Sequence, residues 1–297
     1  MCSSDLLLHA GSGLLQGAMA LQGARSYEVP MLVMSGESLS YGELPDFDPG
    51  NQWYRNLGVV GGPQRLIDSI VKWANQAPSP ETLYQSVVRA GEMAKRVPQG
   101  PVYLNVPCET MMHGWTPPKR LRKTPEPPKV QPLAEDVAHV AALIANAKCP
   151  MIVTESAGRD PDAFAALIEF SELMGIPVIE GRAAAYANFP KSHPLHLGTN
   201  MAPLLKEADL ALLVESRVPW YPPSNSPPNA KVVCIGGNPL KGHMVYQTME
   251  ADVYLEGDAG QSLRLLTAAL KQAGETQAKN AARRQRWEQE HGQLMAK

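Results

Sequence analysis

The feature that most constrains the fold is a regular alternation of short apolar runs and helix-forming segments across residues 132–274. The apolar runs predict strands at 151–155, 177–180, 209–215, 231–235 and 252–255, and the segments between them predict helices at 133–147, 161–174, around 200–207 and 259–272. Strands that alternate with helices form a parallel sheet covered on both faces. We therefore predict a complete, doubly wound, Rossmann-like α/β domain at 132–274.

Residues 7–115 show the same alternation less completely. Residues 6–10 (LLLHA) are mostly apolar and predict a strand, the glycines at 11–13 predict a turn after it, and residues 14–25 are rich in helix formers. A second apolar run at 29–34 completes a βαβ pattern. Further along, Ser79-Pro80 predicts a helix start, and 101–106 predicts another strand. We predict part of a second doubly wound domain here.

Three stretches lie outside these domains. Residues 116–131 combine prolines with a local excess of basic side chains, which predicts an exposed interdomain linker. Residues 275–297 are polar and lack a broad apolar stripe, so we predict a linker or the start of a further domain. Residues 1–6 resemble the in-frame translation of a sequencing adapter, and we expect the natural protein to extend upstream instead.

Charge and cysteine content exclude several classes of protein. The chain has 27 Lys and Arg against 29 Asp and Glu, and this net charge of −2 gives no electrostatic footprint for nucleic acid or an anionic membrane. No apolar run approaches the length of a membrane span. The four cysteines form no Cys-x-x-Cys pair, which argues against a zinc site or a disulfide framework. We expect a cytoplasmic protein that binds neither nucleic acid nor membrane.

Several predicted strands of the second domain end in glycine. Gly158-Arg159, Gly236-Gly237 and Gly257-Asp258 each follow an apolar run. The carboxyl ends of strands form the ligand crevice of an open α/β sheet, and glycine lets backbone amides approach a phosphate there. These glycines are candidates for nucleotide binding, although each one could simply form a tight turn. The sequence contains no Gly-x-Gly-x-x-Gly or Walker A string, which argues against a nicotinamide fingerprint or an NTPase.

Two other motifs predict structural roles. His193 and His196 form a His-x-x-His motif, but Pro194 breaks the helix that would align the two rings, and no third ligand is nearby. We therefore predict no metal site. The proline-rich segment at 219–223 follows a buried strand, so we predict a folded loop at the ligand edge of the sheet.

Three segments in order resemble a known family. Residues 11–16 (GSGLLQ), 29–37 (VPMLVMSGE) and 100–107 (GPVYLNVP) resemble the latter half of the pyrimidine-binding domain in thiamine-diphosphate enzymes of the acetolactate synthase-like group. Residues 132–273 resemble the central domain of the same group, including 208–214 (ADLALLV) and 232–236 (VVCIG). The resemblance therefore covers nearly the whole chain.

The resemblance implies a 2-oxo acid decarboxylase or carboligase that uses thiamine diphosphate and Mg²⁺ and works as a homodimer or homotetramer. In the family, an early glutamate activates the cofactor, and a Gly-Asp-Gly motif in a third domain binds the metal and diphosphate. The glutamate would precede residue 7, and no Gly-Asp-Gly string occurs in this sequence. We therefore expect the chain to be a fragment, inactive alone, with no catalytic residue of its own.

The resemblance also assigns candidate site residues. On the pyrimidine side these are Gly11, Ser12, Gly13, Gln16 and Glu37; the last would either place a carboxylate near the substrate channel or lie exposed in a loop. Some relatives hold FAD or an adenine nucleotide in the central domain, where the candidates are Gly158, Arg159, Gly236, Gly237 and Asp258. An alternative interpretation is a noncatalytic nucleotide- or FAD-binding module, or a partner subunit of a split enzyme.

Overall fold

The structure is a computed structural model that describes residues 4–37, 46–122, 125–182, 184–244 and 250–296. The chain divides into two compact units, Cys2–Pro128 and Lys129–Lys297. We call them the N-terminal unit and the central unit. Within the described residues, no helix is long and apolar enough to cross a membrane.

The N-terminal unit is a parallel four-stranded sheet with helices, and its strands lie in the order β1-β2-β4-β3. Its cores lie between the sheet and the helices and include the fully buried Leu14, Tyr103 and Leu104. In chain order the elements are β1 Ser4–Leu8, α1 Ala10–Ser26, β2 Met31–Glu37, α2 Pro63–Ile67, β3 Trp73–Gln76, α3 Pro80–Lys95, β4 Pro101–Pro107 and α4 Cys108–Met112.

The start of α1 differs from the sequence-based expectation. The predicted glycine turn at 11–13 is wrong, because these residues lie in the first turn of the helix. The backbone of His9 and Ala10 makes the change of direction, with His9 extended and Ala10 in the left-handed region at φ 50°. Strand β2 also runs on through Gly36 to Glu37, past the predicted end at residue 34. Glu37 therefore stands at the carboxyl end of a strand.

The central unit confirms the predicted α/β fold. It has five parallel strands in the order β6-β5-β7-β8-β9, and α6 and α8 pack against each other. The elements are α5 Ala134–Asn146, β5 Pro150–Thr154, α6 Pro161–Met174, β6 Val178–Glu180, α7 Ala202–Glu207, β7 Leu210–Val214, β8 Lys231–Gly236, β9 Val253–Glu256, α8 Ala259–Gln272 and α9 Ala281–Met295.

Local sequence explains why the best-predicted helix begins and ends where it does. Asp160 is the N-cap of α6, and its side chain accepts a hydrogen bond from the amide of Asp162. Pro161 occupies the first helical position, where its missing N–H costs nothing. Gly175 ends the helix in the left-handed conformation at φ 60°. Phe170 and Leu167 on its inner face are fully buried.

The C-terminal segment differs from the predicted linker, because α9 packs against the central unit. Trp287 is 2% exposed and belongs to the main hydrophobic core. The Arg283 guanidinium donates to the carbonyl oxygens of Met174 at 3.0 Å and Ala147 at 2.7 Å, at the carboxyl ends of α6 and α5. A cation at these positions also interacts favourably with the helix dipoles. Buried His291 lies 2.7 Å from the carbonyl oxygen of His196.

Candidate functional site

The candidate site of the central unit lies at the carboxyl edge of its sheet. The chain leaves β5 to form β6 on one side, whereas β7 lies on the other side of β5. The loops after β5 and β7 therefore diverge, and such a topological switch point opens a ligand crevice. The residues that follow these strands are the ones that can contact a ligand.

A cleft of about 700 Å³ opens at this edge, which is the size of a small-molecule site. Trp220 and Leu205 contribute buried apolar surface, and Arg182 and Lys206 are exposed cations. The predicted folded loop at 219–223 is confirmed, because Pro219, Trp220 and Tyr221 line the cleft. The lining residues are Glu155, Arg182, Thr199, Asn200, Met201, Ala202, Leu205, Lys206, Val218, Pro219, Trp220, Tyr221, Asn225, Ser226 and Pro228.

Glu155, directly after β5, holds the loop that forms one wall of this cleft. Its carboxylate accepts hydrogen bonds from the amides of Arg217 at 2.6 Å and Val218 at 3.4 Å. The Nε of Arg217 lies 3.5 Å from the same oxygen. Gly181 packs against this side chain so closely that a Cβ there would lie 2.5 Å from the Glu155 Cγ. Glu155 lines the cleft but is only 1% exposed, and both amides that it binds belong to the loop that forms the wall.

Glu180, at the end of β6, plays a similar part for the next loop. It accepts hydrogen bonds from the Asn188 amide at 3.0 Å, and the Nε2 of His196 lies at 3.2 Å. Burial alone would raise the pKa of the Glu180 carboxyl, but the hydrogen bonds from His196 and Asn188 bring the pKa below its usual value. These hydrogen bonds therefore favour the ionised carboxylate of Glu180 over its protonated form.

The two histidines of the His-x-x-His motif have different partners. His193 Nε2 lies 3.3 Å from Glu172, whereas His196 Nε2 lies beside Glu180. In the part of the chain that the structure describes, no group of three or more His, Cys, Asp or Glu residues could hold a metal ion.

Glu215, directly after β7, meets three of the predicted nucleotide-binding residues. Its Oε1 accepts a hydrogen bond from the Gly237 amide at 3.2 Å, and its Oε2 lies 3.6 Å from the Arg159 guanidinium and 3.7 Å from the Lys241 ammonium. A Cβ on Gly236 would lie 2.7 Å from the Glu215 Oε1. The structure therefore brings Arg159, Gly236 and Gly237 together, but around a side chain of the protein.

The other two predicted nucleotide-binding residues also have internal roles. The Gly158 amide donates to the Asn188 side chain at 3.0 Å, and a Cβ on Gly158 would lie 1.9 Å from the carbonyl oxygen of Ala187. Asp258 is the N-cap of α8, where it accepts from the amide of Gln261 at 3.0 Å. Close packing therefore accounts for the glycine at position 158, and helix capping accounts for the aspartate at position 258.

In the N-terminal unit, the predicted pyrimidine-side residues of α1 do not converge on one point. Ser12 and Gln16 are exposed on the helix surface. Gly11 is buried, and a Cβ there would lie 2.0 Å from the Val59 Cγ2, so Val59 fills the space beside it. Gly13 packs against Leu8. These glycines permit close packing of the chain on itself.

Glu37 is the predicted pyrimidine-side residue that the structure places at a strand end, and it is only 6% exposed. Beside it, a Cβ on Gly36 would lie 3.0 Å from both the Trp53 ring and the Met111 methyl group. Trp53 also stacks against His9, with ring centroids 6.4 Å apart. This edge therefore presents a buried carboxylate at Glu37 and, at the preceding residue, a backbone position packed against an aromatic ring and a thioether.

Sequence reasoning missed the three glutamates of the central unit. Glu155, Glu180 and Glu215 each lie at the end of a buried apolar strand. A charged residue repeated at that position is a readable signal, because strand ends line the crevice. The predicted site residues were instead mainly glycines at or after strand ends. Gly236 packs against Glu215 and Gly237 donates to it, whereas Gly158 donates to Asn188, which is a partner of Glu180.

The chain is similar in sequence to a family of known enzymes. Residues 137–266 match the family model for the thiamine pyrophosphate enzyme central domain. The chain is 23% identical over 283 residues to the acetolactate synthase large subunit of Corynebacterium glutamicum, covering 90% of this chain and 43% of that protein. It is 24% identical over 237 residues to the 2-hydroxyacyl-CoA lyase of Oryza sativa, covering 75% and 39%. The chain thus spans less than half the length of these relatives.

A solved structure supports the fold across both units. Benzoylformate decarboxylase from Polynucleobacter necessarius superposes with a TM-score of 0.75 at 21% identity, covering 90% of this chain and 50% of that one. At this level of identity the similarity establishes the architecture alone.

Proposed function

We propose that this chain is part of a 2-oxo acid decarboxylase or carboligase of the acetolactate synthase-like type. Its central domain at residues 137–266 places it among the thiamine pyrophosphate enzymes. The order of its two units supports the proposal, since a parallel α/β unit precedes the central domain. The observation that carries it is the buried Glu37 carboxylate at the carboxyl end of β2.

The carboxyl edge of the N-terminal unit fits one half of the cofactor. A buried carboxylate accepts hydrogen bonds strongly, so Glu37 would hold the amino group of an aminopyrimidine, and Trp53 would contact the ring. Gly11 would have no direct contact, because Val59 lies against it. When bound, thiamine diphosphate supplies an electron sink for the carbanion that remains after CO₂ is lost.

The metal and diphosphate half does not fit the described residues, which hold no candidate metal cluster. The 297-residue sequence also has no Gly-Asp-Gly string. We therefore propose that residues beyond this chain supply the Mg²⁺–diphosphate site, and we expect the chain alone not to release CO₂ from 2-oxo acids.

Thiamine binding tests the role of Glu37. We expect thiamine to quench the fluorescence of this chain, and Trp53→Phe to remove most of that quench because Trp53 lies beside Gly36. Glu37→Gln should weaken binding about tenfold or more, since a hydrogen bond to a charged group contributes about 1.5 to 3 kcal/mol. Glu81→Gln, which removes an exposed carboxylate of α3, is the matched control. Equal affinity in the Glu37 and Glu81 variants would show that Glu37 does not contact the pyrimidine.

We also propose a homodimer or homotetramer, supported by an apolar face on α1. Leu15 and Met19 lie one turn apart on this helix and are 56% and 83% exposed. Met19→Lys should shift the mass measured by light scattering toward the monomer, because burying an apolar side chain contributes about 1.5 to 3 kcal/mol. Gln85→Lys, on an exposed site of α3, should leave the mass unchanged. An unchanged mass in both variants would show that Met19 on α1 does not contribute to the interface between subunits.

The alternative of a noncatalytic nucleotide or FAD module is less well supported. Gly158, Gly236, Gly237 and Asp258 are all engaged in contacts within the central unit. These residues do not fit a dinucleotide, and we assign no role to FAD.

A further inference from the structure

The crevice of the central unit contains an anion-binding arrangement that one of its own side chains fills. Around the Glu215 carboxylate lie the guanidinium of Arg159, the ammonium of Lys241 and the backbone amide of Gly237. Two cations and a backbone amide are also the groups that proteins use to bind phosphate. The arrangement therefore has the chemistry of a phosphate site, with a carboxylate in the position of the anion.

Burial makes this carboxylate difficult to displace. The side chains of Lys241, Glu215 and Arg159 are 3%, 12% and 14% exposed. A buried ammonium group requires a nearby negative charge, because the cost of removing it from water is otherwise several kcal/mol. Glu215 and Lys241 also both adopt the left-handed backbone region, at φ 47° and 46°, which side chains other than glycine rarely occupy.

A phosphate that approached this point would meet two obstacles. It would be repelled by the Glu215 carboxylate at short range in a weakly polar environment. The face of Gly236 through which the backbone could approach a ligand is also covered, since only 2.7 Å separates its Cβ position from the Glu215 Oε1. At the neighbouring strand end, the Gly158 amide is already bonded to Asn188.

We propose that Glu215 is a built-in anion that determines ligand specificity, so that the central unit rejects nucleotides and dinucleotides at this crevice. The proposal does not depend on the thiamine-dependent activity. It predicts that removal of this one carboxylate converts the same residues into a site for phosphate or diphosphate. The lining of the cleft beside Trp220 does not include these residues.

Isothermal titration of the full chain with inorganic pyrophosphate tests the proposal. We expect no saturable binding by the native protein at millimolar concentrations. Glu215→Ala should bind pyrophosphate at least about tenfold more tightly than the native chain, which corresponds to about 1.4 kcal/mol. Glu169→Ala removes an exposed carboxylate that pairs with Lys271 at 2.8 Å, and it should behave like the native chain. Equal affinity of native and Glu215→Ala proteins, or no binding by a folded Glu215→Ala protein, would overturn the proposal.

Two further measurements apply if Glu215→Ala does not fold, as judged by circular dichroism. Glu215→Gln keeps the volume and removes the charge, so it should also gain pyrophosphate binding relative to the native chain, though less than the alanine variant. Titration of the native chain with ADP is independent of any variant. Saturable ADP binding in the micromolar range would overturn the proposal, and its absence would support it.

Discussion

Replacement of Gly158 with alanine is expected to destabilise the central unit by about 3 kcal/mol, the upper end of the usual range for overpacking. The added Cβ would lie 1.9 Å from the carbonyl oxygen of Ala187 and 2.7 Å from its carbonyl carbon. Both atoms belong to the backbone, so no side-chain rotation can relieve the clash. The hydrogen bond from the Gly158 amide to Asn188 would be strained by the same displacement.

Urea unfolding followed by circular dichroism measures this effect. Gly292→Ala is the matched control, because nothing lies within 4 Å of its Cβ position in α9, and alanine is favoured over glycine in a helix by about 1 kcal/mol. The control should therefore be neutral or slightly stabilising. If Gly158 instead served a ligand, alanine would lower ligand affinity and leave the free energy of unfolding unchanged. That result would contradict the packing role.

Replacement of Trp287 with alanine is expected to release α9 from the central unit. Its side chain belongs to the main core, and truncation of a buried large aromatic residue costs about 3 to 5 kcal/mol. The remaining contacts, such as those from Arg283 to the ends of α5 and α6, are hydrogen bonds of modest net value. We expect that these contacts do not hold the helix in place without Trp287.

Limited trypsin digestion detects the release, since Arg283, Arg284 and Arg286 lie in the same helix. We expect rapid cleavage there in Trp287→Ala and slow cleavage in the native chain. Trp287→Phe is the control: among the described residues the indole Nε1 has no hydrogen-bond partner, so phenylalanine should cost less than about 1.5 kcal/mol. Equally slow cleavage in the native and alanine proteins would mean that other contacts dock the helix.

The elements that the sequence predicts well are those whose signals are local. Helix α6 has a capping Asp160, a first-turn Pro161 and a terminal Gly175, and the structure uses all three. Strand β3 was missed because Trp73–Gln76 is short and half polar, and it is specified by its pairing with β4 rather than by its own residues. Helix α9 was not predicted to pack against the central unit, because its main buried contact is the single residue Trp287 and not a broad apolar stripe.

The candidate site was harder to predict, because a glycine does not reveal what lies against it. Gly158 and Gly236 follow apolar runs, as ligand-binding glycines of such sheets do, yet one faces Ala187 and the other faces Glu215. The partners are distant in sequence, so only the folded chain identifies them. The apolar run predicted a strand end at residue 34, whereas β2 continues to Glu37, so only the structure places this carboxylate at a strand end, from which a side chain reaches the sheet edge.

The glutamates at the ends of β5, β6 and β7 have a consequence for how a ligand would be received. Glu155 binds an amide of the loop after the neighbouring strand β7, Glu180 binds an amide of the loop after its own strand β6, and Glu215 binds the amide of Gly237 after the neighbouring strand β8. The loops are thus tied by covalently attached acceptors rather than by a bound molecule. A crevice of this kind is pre-organised: its shape persists without a ligand, and binding does not require the loss of loop entropy that a ligand-ordered crevice would impose.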